Sequence, residues 1–465
     1  MRKTKIVCTI GPVTCELHQL ERLAKGGMNV ARLNMSHGDH KWHGAAIDKI
    51  KKLNKKGHSI AIMLDTKGPE IRSGDLKQEV HLKSGDQFTF TIRKEVDYGK
   101  NCVEVSYDGF IDDVSVGDTI LVDGGMLSFK VIEITKKDVI CRSLDDGVLT
   151  SRRHLNIRGK SAHLPSITQK DWEDIDFAIK ERVDFIALSF VKKSSAIHKL
   201  KNYLTKKNSF IKVIAKIESA ASIPHIDDIL EVTDGAMVAR GDLGAELPVE
   251  EVPLLQDMIV RKCRELGKPV IVATHLLESM ISHPTPTRAE VADIAEAVKE
   301  KTDAIMLSGE TAAGNYPFKA LEVMDTVARR IEKHLSQDKT IRARVSNNPK
   351  QQIVLSAAIL ANNSEANAIL VFTRSGFMAS LLSRTRPNSP LYAFASTAHV
   401  CRKLHLYWGL RSFRIDFSPN PEDSIQKAIG VLKKQKRLKK GSTIVIVSDI
   451  LAGKELVDTV QVRKI

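Results

Sequence analysis

Residues 236–274 read AMVARGDLGAELPVEEVPLLQDMIVRKCRELGKPVIVAT, and this stretch decides the fold class. Two short apolar runs, at 236–240 and 270–274, flank an apolar-striped helical pattern at 252–266. Gly267 ends the helical pattern, as glycine often does just past a helix C-terminus. A buried strand, a helix and a second buried strand are typical of a βαβ unit with parallel strands.

The same unit recurs along the chain. Six further apolar runs are spaced by helical patterns, at Lys5–Ile10, Val30–Met35, Ile60–Asp65, Phe185–Phe190, Lys212–Glu218 and Ala304–Ser308. Thr14 and Thr168 are predicted helix caps, and a further helix is predicted from Arg288 to Glu300. Eight such units predict an α/β fold in which the strands close into a (β/α)8 TIM barrel rather than an open sheet.

Two regions depart from this pattern. After residue 68 the sequence changes to short alternating segments separated by Gly-Asp turns, which predicts an inserted all-β domain. Past about residue 345, strands at 368–372, 391–395 and 443–447 alternate with helical stretches and predict a C-terminal α/β domain. The predicted division is barrel at 1–68 and 167–343, inserted β-barrel lid at 69–166, and C-terminal regulatory or oligomerisation domain at 344–465.

Composition narrows the class of protein. The 465 residues are 42% hydrophobic and 27% charged, as in soluble globular proteins, and no apolar run or N-terminal segment predicts a membrane span or a secretory signal. Six scattered cysteines lack metal-ligand spacing, which favours reduced thiols and a cytoplasmic location. The net charge of +15 suits a phosphorylated partner. The basic run at 433–440 is interpreted as a solvated helix end, so neither nucleic acid nor a membrane is an expected partner.

Polar side chains crowd the C-terminal ends of the second and third barrel strands, where barrel enzymes carry their active sites. Arg32, Asn34 and Ser36 are expected on one face, because side chains alternate along a strand. Asp65 and Thr66 end the third strand, so four oxygen-bearing side chains are available for a monovalent cation. The alternative for the same residues is capping and turn hydrogen bonds.

The fifth and sixth strands carry a second group. Lys216 and Glu218 share a face of the fifth strand, and such residues are seldom buried unless paired or functional. Glu218 and Asp242 form the kind of carboxylate pair that Mg²⁺ accepts alongside substrate phosphate and water. Gly241 would let a ligand approach the backbone. The alternatives are a structural ion pair for Lys216 with Glu218 and a turn role for Asp242.

The remaining candidates are less distinctive. Thr274 could hold or relay a proton at the end of the seventh strand, whereas His275 is expected to make a structural hydrogen bond. Lys67 and Arg72 lie where the inserted domain leaves the barrel, and a guanidinium suits phosphate oxygens.

Six segments, taken together and in order, resemble the signatures of the pyruvate kinase family. They are NVARLNMSHG at 29–38, LDTKGPEIR at 64–72, IAKIE at 214–218, ARGDLG at 239–244, PTRAE at 286–290 and MLSGET at 306–311. The resemblance covers the barrel nearly end to end and extends more loosely through the other two domains. It implies transfer of a phosphoryl group from phosphoenolpyruvate to ADP, through an enolate, giving pyruvate and ATP in the last step of glycolysis.

The resemblance also implies roles for particular residues. Arg32 and Lys216 would contact the phosphoryl group, and Lys216, Arg32 and Thr274 would act in catalysis. Gly241, Asp242 and Thr274 would position the substrate carboxylate. The implied ligand sets are Glu218 and Asp242 for Mg²⁺ (or Mn²⁺); Asn34, Ser36, Asp65 and Thr66 for K⁺; and Asn34, Ser36, His37, Arg72 and Arg153 for the nucleotide.

The resemblance further implies K⁺ activation, because Glu70 stands where a lysine replaces the cation in K⁺-independent members. It implies a closing lid, a homotetramer and a possible sugar-phosphate or AMP effector. The chain departs from the family pattern at His275, at Arg153 and in the loop 373–380, which carries Phe377 and Met378 in place of polar residues. The departure in the loop leaves the effector's identity open.

Two rival functions remain open from the sequence. One is a Mg²⁺-dependent barrel lyase or aldolase of phosphoenolpyruvate or 2-oxo-acid chemistry, which would need neither the K⁺ cluster nor the inserted lid. The other is a non-catalytic regulatory paralogue or an RNA binder that uses the +15 charge. The presence of every candidate active-site residue argues against the second.

Overall fold

In the computed structural model, which describes residues 2–94, 101–159, 164–335, 348–452 and 455–465, eight parallel strands close into a barrel. The first to eighth barrel strands are Lys5–Thr9, Val30–Asn34, Ala61–Asp65, Phe185–Leu188, Lys212–Ile217, Gly235–Ala239, Val270–Ala273 and Ala304–Leu307. Each pairs with its neighbours in chain order, and the first strand pairs with the eighth. The predicted fold class is confirmed.

Helices surround the barrel. Those within or after the barrel units are Leu17–Gly26, His40–Lys55, Gln169–Glu181, Ser194–Lys206, Ile226–Val232, Arg240–Glu246, Glu251–Leu266, Arg288–Lys299, Gly309–Ala312 and Pro317–Leu335, with 3₁₀ turns at Ala220–His225 and Glu278–Ile281. No helix in the described ranges is long and apolar enough to cross a membrane.

Local capping explains several helix boundaries. Thr168 caps its helix through a reciprocal capping box with Asp171, as predicted. Gly267 follows the helix Glu251–Leu266 with φ of 72°, a left-handed conformation that suits glycine. The prediction for Thr14 is wrong. Glu16 caps that helix instead, and the Thr14 hydroxyl donates to the Thr311 backbone oxygen, which ties the first barrel unit to the eighth.

Apolar side chains fill the barrel interior toward the N-terminal ends of the strands. Val7, Met63, Ile214 and Met237 are fully buried there, and Leu406 from the C-terminal domain joins the same cluster. Side chains two residues further along a strand share its face, so this packing aims Thr9 and Lys216 toward the polar mouth.

The inserted domain is all β, with a seven-stranded sheet and a two-stranded sheet. Its strands are Ile71–Arg72, Val80–Leu82, Gln87–Thr91, Cys102–Glu104, Thr119–Val122, Leu127–Ile134, Asp138–Ser143, Gly147–Leu149 and His154–Ile157, with a short helix at Phe110–Asp113. Four buried phenylalanines (Phe88, Phe90, Phe110 and Phe129) form the centre of its own core.

The C-terminal domain is a five-stranded sheet covered by helices. Its strands lie in the spatial order Leu410–Arg414, Leu391–Ala395, Ala368–Phe372, Thr443–Ala452 and Glu455–Lys464, and the last strand is antiparallel. Its helices are Pro349–Asn363, Phe377–Arg384, Ala398–Lys403 and Pro421–Lys434, with a 3₁₀ turn at Leu404–Leu406. The limits at 68–69 and 166–167 stay predictions, and the predicted boundary at 343–344 lies outside the described residues.

Candidate active site

Lys216 is the centre of a buried ionic cluster at the C-terminal end of the barrel. Its Nζ lies 2.7 Å from Glu218 Oε1 and 3.0 Å from Asp65 Oδ1. The same ammonium donates to Ser189 Oγ at 2.8 Å. Burial opposes the charge on Lys216, but Asp65 and Glu218 outweigh that penalty and raise its pKa. The lysine is therefore held as a cation with its proton donors already oriented.

Asp65 joins two cations. Its Oδ2 accepts from Arg32 Nε at 2.6 Å, and its Oδ1 faces Lys216. Arg32 also donates from Nη1 to Thr9 Oγ1 at 2.9 Å. Burial alone would raise the pKa of Asp65, which is fully buried, but Lys216 and Arg32 hold it below its usual value. Arg32 and Lys216 are thus brought to one carboxylate from strands far apart in sequence.

Glu218 and Asp242 form the acidic side of the cluster. Their side chains are in hydrogen-bond contact, and Glu218 Oε2 also accepts from the Phe190 backbone N–H at 2.7 Å. Burial raises the pKa of Glu218 to about 7 against the opposing effect of Lys216, and burial likewise raises the pKa of Asp242. Burial and the proximity of the two carboxyls disfavour full ionisation of the pair, even with Lys216 beside Glu218. A divalent cation would relieve that charge, so the pair fits Mg²⁺.

The predicted monovalent-cation residues lie at adjoining strand ends. Asn34 pairs in register with Asp65, and Asn34 Oδ1 accepts from the Ser36 backbone N–H at 3.2 Å. The second strand ends at Asn34, so the expected alternation does not extend to Ser36, which a turn positions instead. Thr66 Oγ1 accepts from the Ser189 backbone N–H at 3.1 Å. The four residues offer hard oxygens, although both oxygens of Asp65 already face Arg32 and Lys216.

The end of the seventh strand is conformationally strained. Thr274 and His275 have φ of 67° and 56°, a region that is costly for a β-branched residue. Arg240 braces this turn, since its Nη2 donates to the Thr274 backbone oxygen at 2.6 Å and its Nη1 to Asp293 Oδ1 at 2.5 Å. Thr274 Oγ1 accepts from the Gly241 backbone N–H at 2.8 Å. The turn thereby holds the threonine hydroxyl beside the sixth strand.

The backbone of Gly241 lies close to the side chains of His275 and Thr274. A Cβ built at this position would lie 2.9 Å from His275 Cε1, closer than carbon atoms normally approach. The Gly241 N–H was expected to be available to a substrate carboxylate, but Thr274 Oγ1 already accepts from it.

Glu310 supports the neighbouring strand ends. Its carboxylate accepts from the backbone N–H groups of Leu277 and Ser308 and so links the ends of the seventh and eighth strands.

Arg72 and Arg153, the two arginines predicted to face the nucleotide, have different surroundings. Arg72 donates from Nε to Glu70 Oε2 at 2.7 Å and from Nη1 to the Arg152 backbone oxygen at 3.0 Å, at the base of the inserted domain. Arg153 pairs with Asp123 at 3.1 Å, within the inserted domain itself. His37 is exposed, and its backbone oxygen contacts His43 Nε2. None of these three residues has a contact to Lys216 among the described residues.

Ser189 is a site residue that the sequence did not single out. It is fully buried, it accepts from Lys216, and its hydroxyl donates to the Thr66 backbone oxygen at 2.6 Å. The next residue, Phe190, has φ of 50°, which turns its N–H toward Glu218. A polar residue at the end of the fourth strand was the available signal, since the other strand ends were selected on that ground.

Comparisons with known proteins identify the family of the chain. A family model described as pyruvate kinase, barrel domain, matches residues 1–321, and one described as pyruvate kinase, alpha/beta domain, matches residues 351–463. The chain is 51% identical to plastidial pyruvate kinase 2 of Arabidopsis thaliana, over all of this chain and 81% of that protein. It is 45% identical to a pyruvate kinase of Bacillus licheniformis, over 92% of this chain and 74% of that protein.

A solved structure is similar throughout. The crystal structure of a pyruvate kinase from Cryptosporidium parvum superposes with a TM-score of 0.93 at 35% identity, covering 100% of this chain and 96% of that one.

The predicted cytoplasmic location is contradicted, because similar relatives from Arabidopsis thaliana, Ricinus communis and Nicotiana tabacum are named plastidial or chloroplastic. The six free cysteines indicated only a reducing environment, which does not distinguish one reducing compartment from another.

Proposed function

The chain belongs to the pyruvate kinase family, and we propose that the ionic cluster around Lys216 carries its reaction. Members of the family are phosphotransferases that use phosphoenolpyruvate as donor and ADP as acceptor, and the products are pyruvate and ATP. The observation that carries the proposal is the convergence of Lys216, Arg32 and Glu218 on one barrel mouth. Phosphoryl transfer depends mainly on positioning and on stabilisation of charge, and these side chains supply both.

In this proposal Arg32 and Lys216 contact the phosphoryl group that moves. Asp65 orients both cations before substrate arrives, so little reorganisation is needed during the reaction. When the phosphorus–oxygen bond of phosphoenolpyruvate breaks, the electron pair remains on the enolate oxygen. The Lys216 ammonium then stabilises that oxygen, and Ser189 helps to hold the ammonium in place.

Thr274, Gly241 and Asp242 would position the substrate carboxylate. The Gly241 N–H is engaged by Thr274 Oγ1, and the Thr274 hydroxyl donates to the Ala273 backbone oxygen at 2.7 Å. We assign the closer role to the hydroxyl, because its proton can rotate toward the substrate. The enolate becomes pyruvate when its methylene carbon takes a proton. We place Thr274 beside that carbon, as the hydroxyl that holds or relays the proton.

The family generally depends on Mg²⁺ and K⁺, and the residues present fit both ions. Glu218 and Asp242 would hold Mg²⁺ (or Mn²⁺), because their carboxyls are buried and adjacent, and Lys216 offsets only part of their negative charge. Asn34, Ser36, Asp65 and Thr66 would hold K⁺. When bound, these cations would neutralise the negative charge that substrate phosphates bring to the mouth.

Arg72, Arg153 and the segment from Asn34 to His37 would face the nucleotide. The inserted domain would act as a lid, and Asn156 on this domain touches the barrel domain, because its Nδ2 donates to Glu246 Oε1 at 3.2 Å. Closure of the lid would exclude water from the transferring group. Arg153 would reach the nucleotide only if it leaves Asp123, which makes it the weakest member of the set.

The assembly and regulation of the chain belong to the same proposal. A homotetramer is expected, with an effector of the sugar-phosphate or AMP class at the C-terminal domain. The loop 373–380 lines a cavity of about 350 Å³ together with Phe417 and Lys350. Light scattering of the purified chain tests the tetramer, and activation curves with each effector class test the regulation.

A coupled assay of ATP and pyruvate formation from phosphoenolpyruvate and ADP tests the function. Formation of both products with Mg²⁺, faster with K⁺, is the expected result. A lyase would consume phosphoenolpyruvate without ADP, and a non-catalytic paralogue would make neither product. Either outcome would remove the proposal.

A further inference from the structure

The inserted domain is joined to the barrel by two crossings of the chain. On the way out, Leu64 packs in the barrel core and Ile71 in the core of the inserted domain, so the outgoing crossing lies between them. On the way back, Leu164 packs against the core of the inserted domain and Ile167 is buried in the barrel core. The returning crossing therefore runs from Leu164 to Thr168, where the next barrel helix is capped. Any movement of the inserted domain must change the backbone torsions of these two segments.

One buried carboxylate links the two crossings. Asp171 Oδ2 accepts from the Thr168 backbone N–H at 2.8 Å and from the Thr168 hydroxyl at 2.7 Å, at the end of the returning crossing. Asp171 Oδ1 accepts from the Gly68 backbone N–H at 3.0 Å, in the outgoing crossing. Capping of the helix needs only the contacts with Thr168, so the bond to Gly68 is an addition to the capping box. Asp171 is fully buried, which makes the loss of either contact costly.

The outgoing crossing is also fixed to the candidate active site. Ser189, which accepts from Lys216, donates from its hydroxyl to the Thr66 backbone oxygen at 2.6 Å. Gly68 lies against the same serine, because a Cβ built on Gly68 would lie 2.6 Å from Ser189 Cβ. Ser189 therefore sets the position of the outgoing crossing, and Asp171 fixes the returning crossing relative to it.

The two substrates depend differently on these crossings in the proposed function. The residues proposed to contact the phosphoryl group and the carboxylate of phosphoenolpyruvate, such as Arg32, Lys216 and Thr274, belong to the barrel. Arg72 and Arg153, which are proposed to face the nucleotide, lie in the inserted domain. The position of the inserted domain should therefore affect the use of ADP more than the binding of phosphoenolpyruvate.

We propose that Asp171 is a positioning residue that holds the two crossings together and so sets the position of the inserted domain over the barrel mouth. It acts through the backbones of Gly68 and Thr168 rather than by contact with substrate. Two crossings tied to one carboxylate leave the inserted domain fewer orientations, so less entropy is lost when it closes on the nucleotide. The inference rests on the proposed function, because it gives Asp171 a part in the phosphorylation of ADP.

Asp171→Asn breaks this link with little change in shape. A carboxylate accepts through both oxygens, whereas an amide accepts through one and donates through its nitrogen. The new NH₂ group would therefore face the N–H of either Gly68 or Thr168, and one crossing would be released. The hydrogen bond from Lys216 to Ser189 would remain, so the barrel mouth should keep its arrangement.

Asp174→Asn is the matched control. Asp174 lies on the same helix as Asp171 and is likewise fully buried. Its carboxylate accepts from Lys170 Nζ at 2.9 Å and lies 2.7 Å from His40 Nε2, and neither residue belongs to a crossing. Both variants neutralise a buried carboxylate on one helix, so a difference between them reports the link rather than the stability of the helix.

Steady-state kinetics and binding measurements on wild type and the two variants test the proposal. We expect Asp171→Asn to lower kcat/KM for ADP by about tenfold or more, with changes in both kcat and KM. Asp174→Asn should keep the wild-type value. Calorimetric titration with phosphoenolpyruvate and Mg²⁺, without ADP, should give the same Kd in all three proteins. Hydrogen exchange should become faster in at least one crossing in Asp171→Asn and in neither crossing in Asp174→Asn.

A second pair of variants serves if Asp171→Asn fails to fold. Thr168→Val has nearly the shape of threonine but loses the two hydrogen bonds between the Thr168 hydroxyl and Asp171. Thr168→Ser is its control, because serine keeps a hydroxyl at the same place. The expected order of kcat/KM for ADP is then wild type and Thr168→Ser above Thr168→Val.

Three results would each overturn the inference. One is a wild-type kcat/KM for ADP in Asp171→Asn, and another is an equal loss in Asp171→Asn and Asp174→Asn, which would assign the effect to the stability of the helix. The third is a parallel loss of affinity for phosphoenolpyruvate, which would place the effect at the barrel mouth. A wild-type chain that forms no ATP is a separate outcome, because it removes the proposed function before any variant is compared.

Discussion

Lys5 and Lys216 are both buried lysines on barrel strands, 5% and 9% exposed, yet they lie at opposite ends of the barrel and differ in ionisation. Lys216 faces two carboxylates within 3.0 Å, and its pKa is raised. Lys5 faces a backbone oxygen and neighbouring arginines, and its pKa is lowered to about 7. Burial is the same in both places, so the neighbouring charges decide the state of the ammonium.

The comparison separates two uses of buried charge. At the mouth, cations and carboxylates orient one another, which prepares the cluster for a reaction in which charge moves. At the other end of the barrel, acids pair with Arg2, Arg329 and Lys25, but Lys5 has no carboxylate partner among the described residues. Three further substitutions test this difference, from the largest expected effect to the smallest.

Lys216→Met should lower kcat by about 10²–10³-fold or more, because it removes a preorganised cation from the transferring group. Lys212→Met is the matched control, since Lys212 lies on the same strand at its other end and pairs with Asp234 near the surface. Steady-state kinetics of both variants, with circular dichroism to check folding, measures the effect. Near-normal turnover in Lys216→Met would contradict the catalytic role.

Glu70→Lys should reduce the activation by K⁺ by about tenfold, because an ammonium near the mouth would replace part of the external positive charge. Glu70 influences the pKa of Asp242, so it lies close enough to act on the cluster. The assay is the ratio of kcat/KM with and without K⁺.

Glu79→Lys is the control for that substitution, because it makes the same charge change at an exposed position of the inserted domain. A K⁺ requirement that is the same in Glu70→Lys as in wild type would count against the monovalent-cation assignment.

Lys5→Met should change the pH dependence of stability. The folded pKa of Lys5 is about 7, whereas an unfolded lysine titrates near about 10.4. Between these values the folded chain binds fewer protons than the unfolded chain, so this lysine makes stability rise as pH increases from about 7 to about 10. Lys216, whose pKa is raised, adds no such rise in this range.

Thermal unfolding from pH 7 to pH 10 measures this effect. Lys5→Met should flatten the rise in Tm by about 2 °C or more. Lys25→Met is the control and should leave the rise unchanged, because Lys25 lies near Lys5 but is exposed. Identical slopes in all three proteins would mean that Lys5 is not forced toward its neutral form. The positive charge around Lys5 would then be smaller than its contacts with Leu410 and its neighbouring arginines imply.

The fold could be predicted because its signals are local. Each barrel strand is an apolar run bounded by turn residues. Thr168 begins its helix through short-range hydrogen bonds, and Gly267 ends its helix through a left-handed backbone conformation, so both boundaries have local signals. Thr14 misled the prediction because its hydroxyl bonds to Thr311, nearly three hundred residues away. A partner so distant in sequence leaves no local signal.

The residues of the candidate site also divide into those with a local sequence signal and those without one. Lys216, Glu218 and Asp242 could be selected because charged residues at the ends of buried strands are seldom buried unless they are paired or functional. Ser189 was passed over although it follows the fourth strand, because nothing in its local sequence indicated that Lys216 would donate to its hydroxyl from the next strand. The alternation rule also failed at Ser36, because the strand ends at Asn34 and a turn takes over.

The sequence by itself determined the closed barrel, the inserted all-β domain, the C-terminal domain and the residue types at the mouth, because hydrophobic period and turn chemistry act over a few residues. Only the tertiary structure decided that Asp65 holds both Arg32 and Lys216, and that Lys5 donates to the Leu410 backbone oxygen across a domain boundary. Ionisation depends on the charges and burial around a group, and these come from strands and domains that only folding brings together.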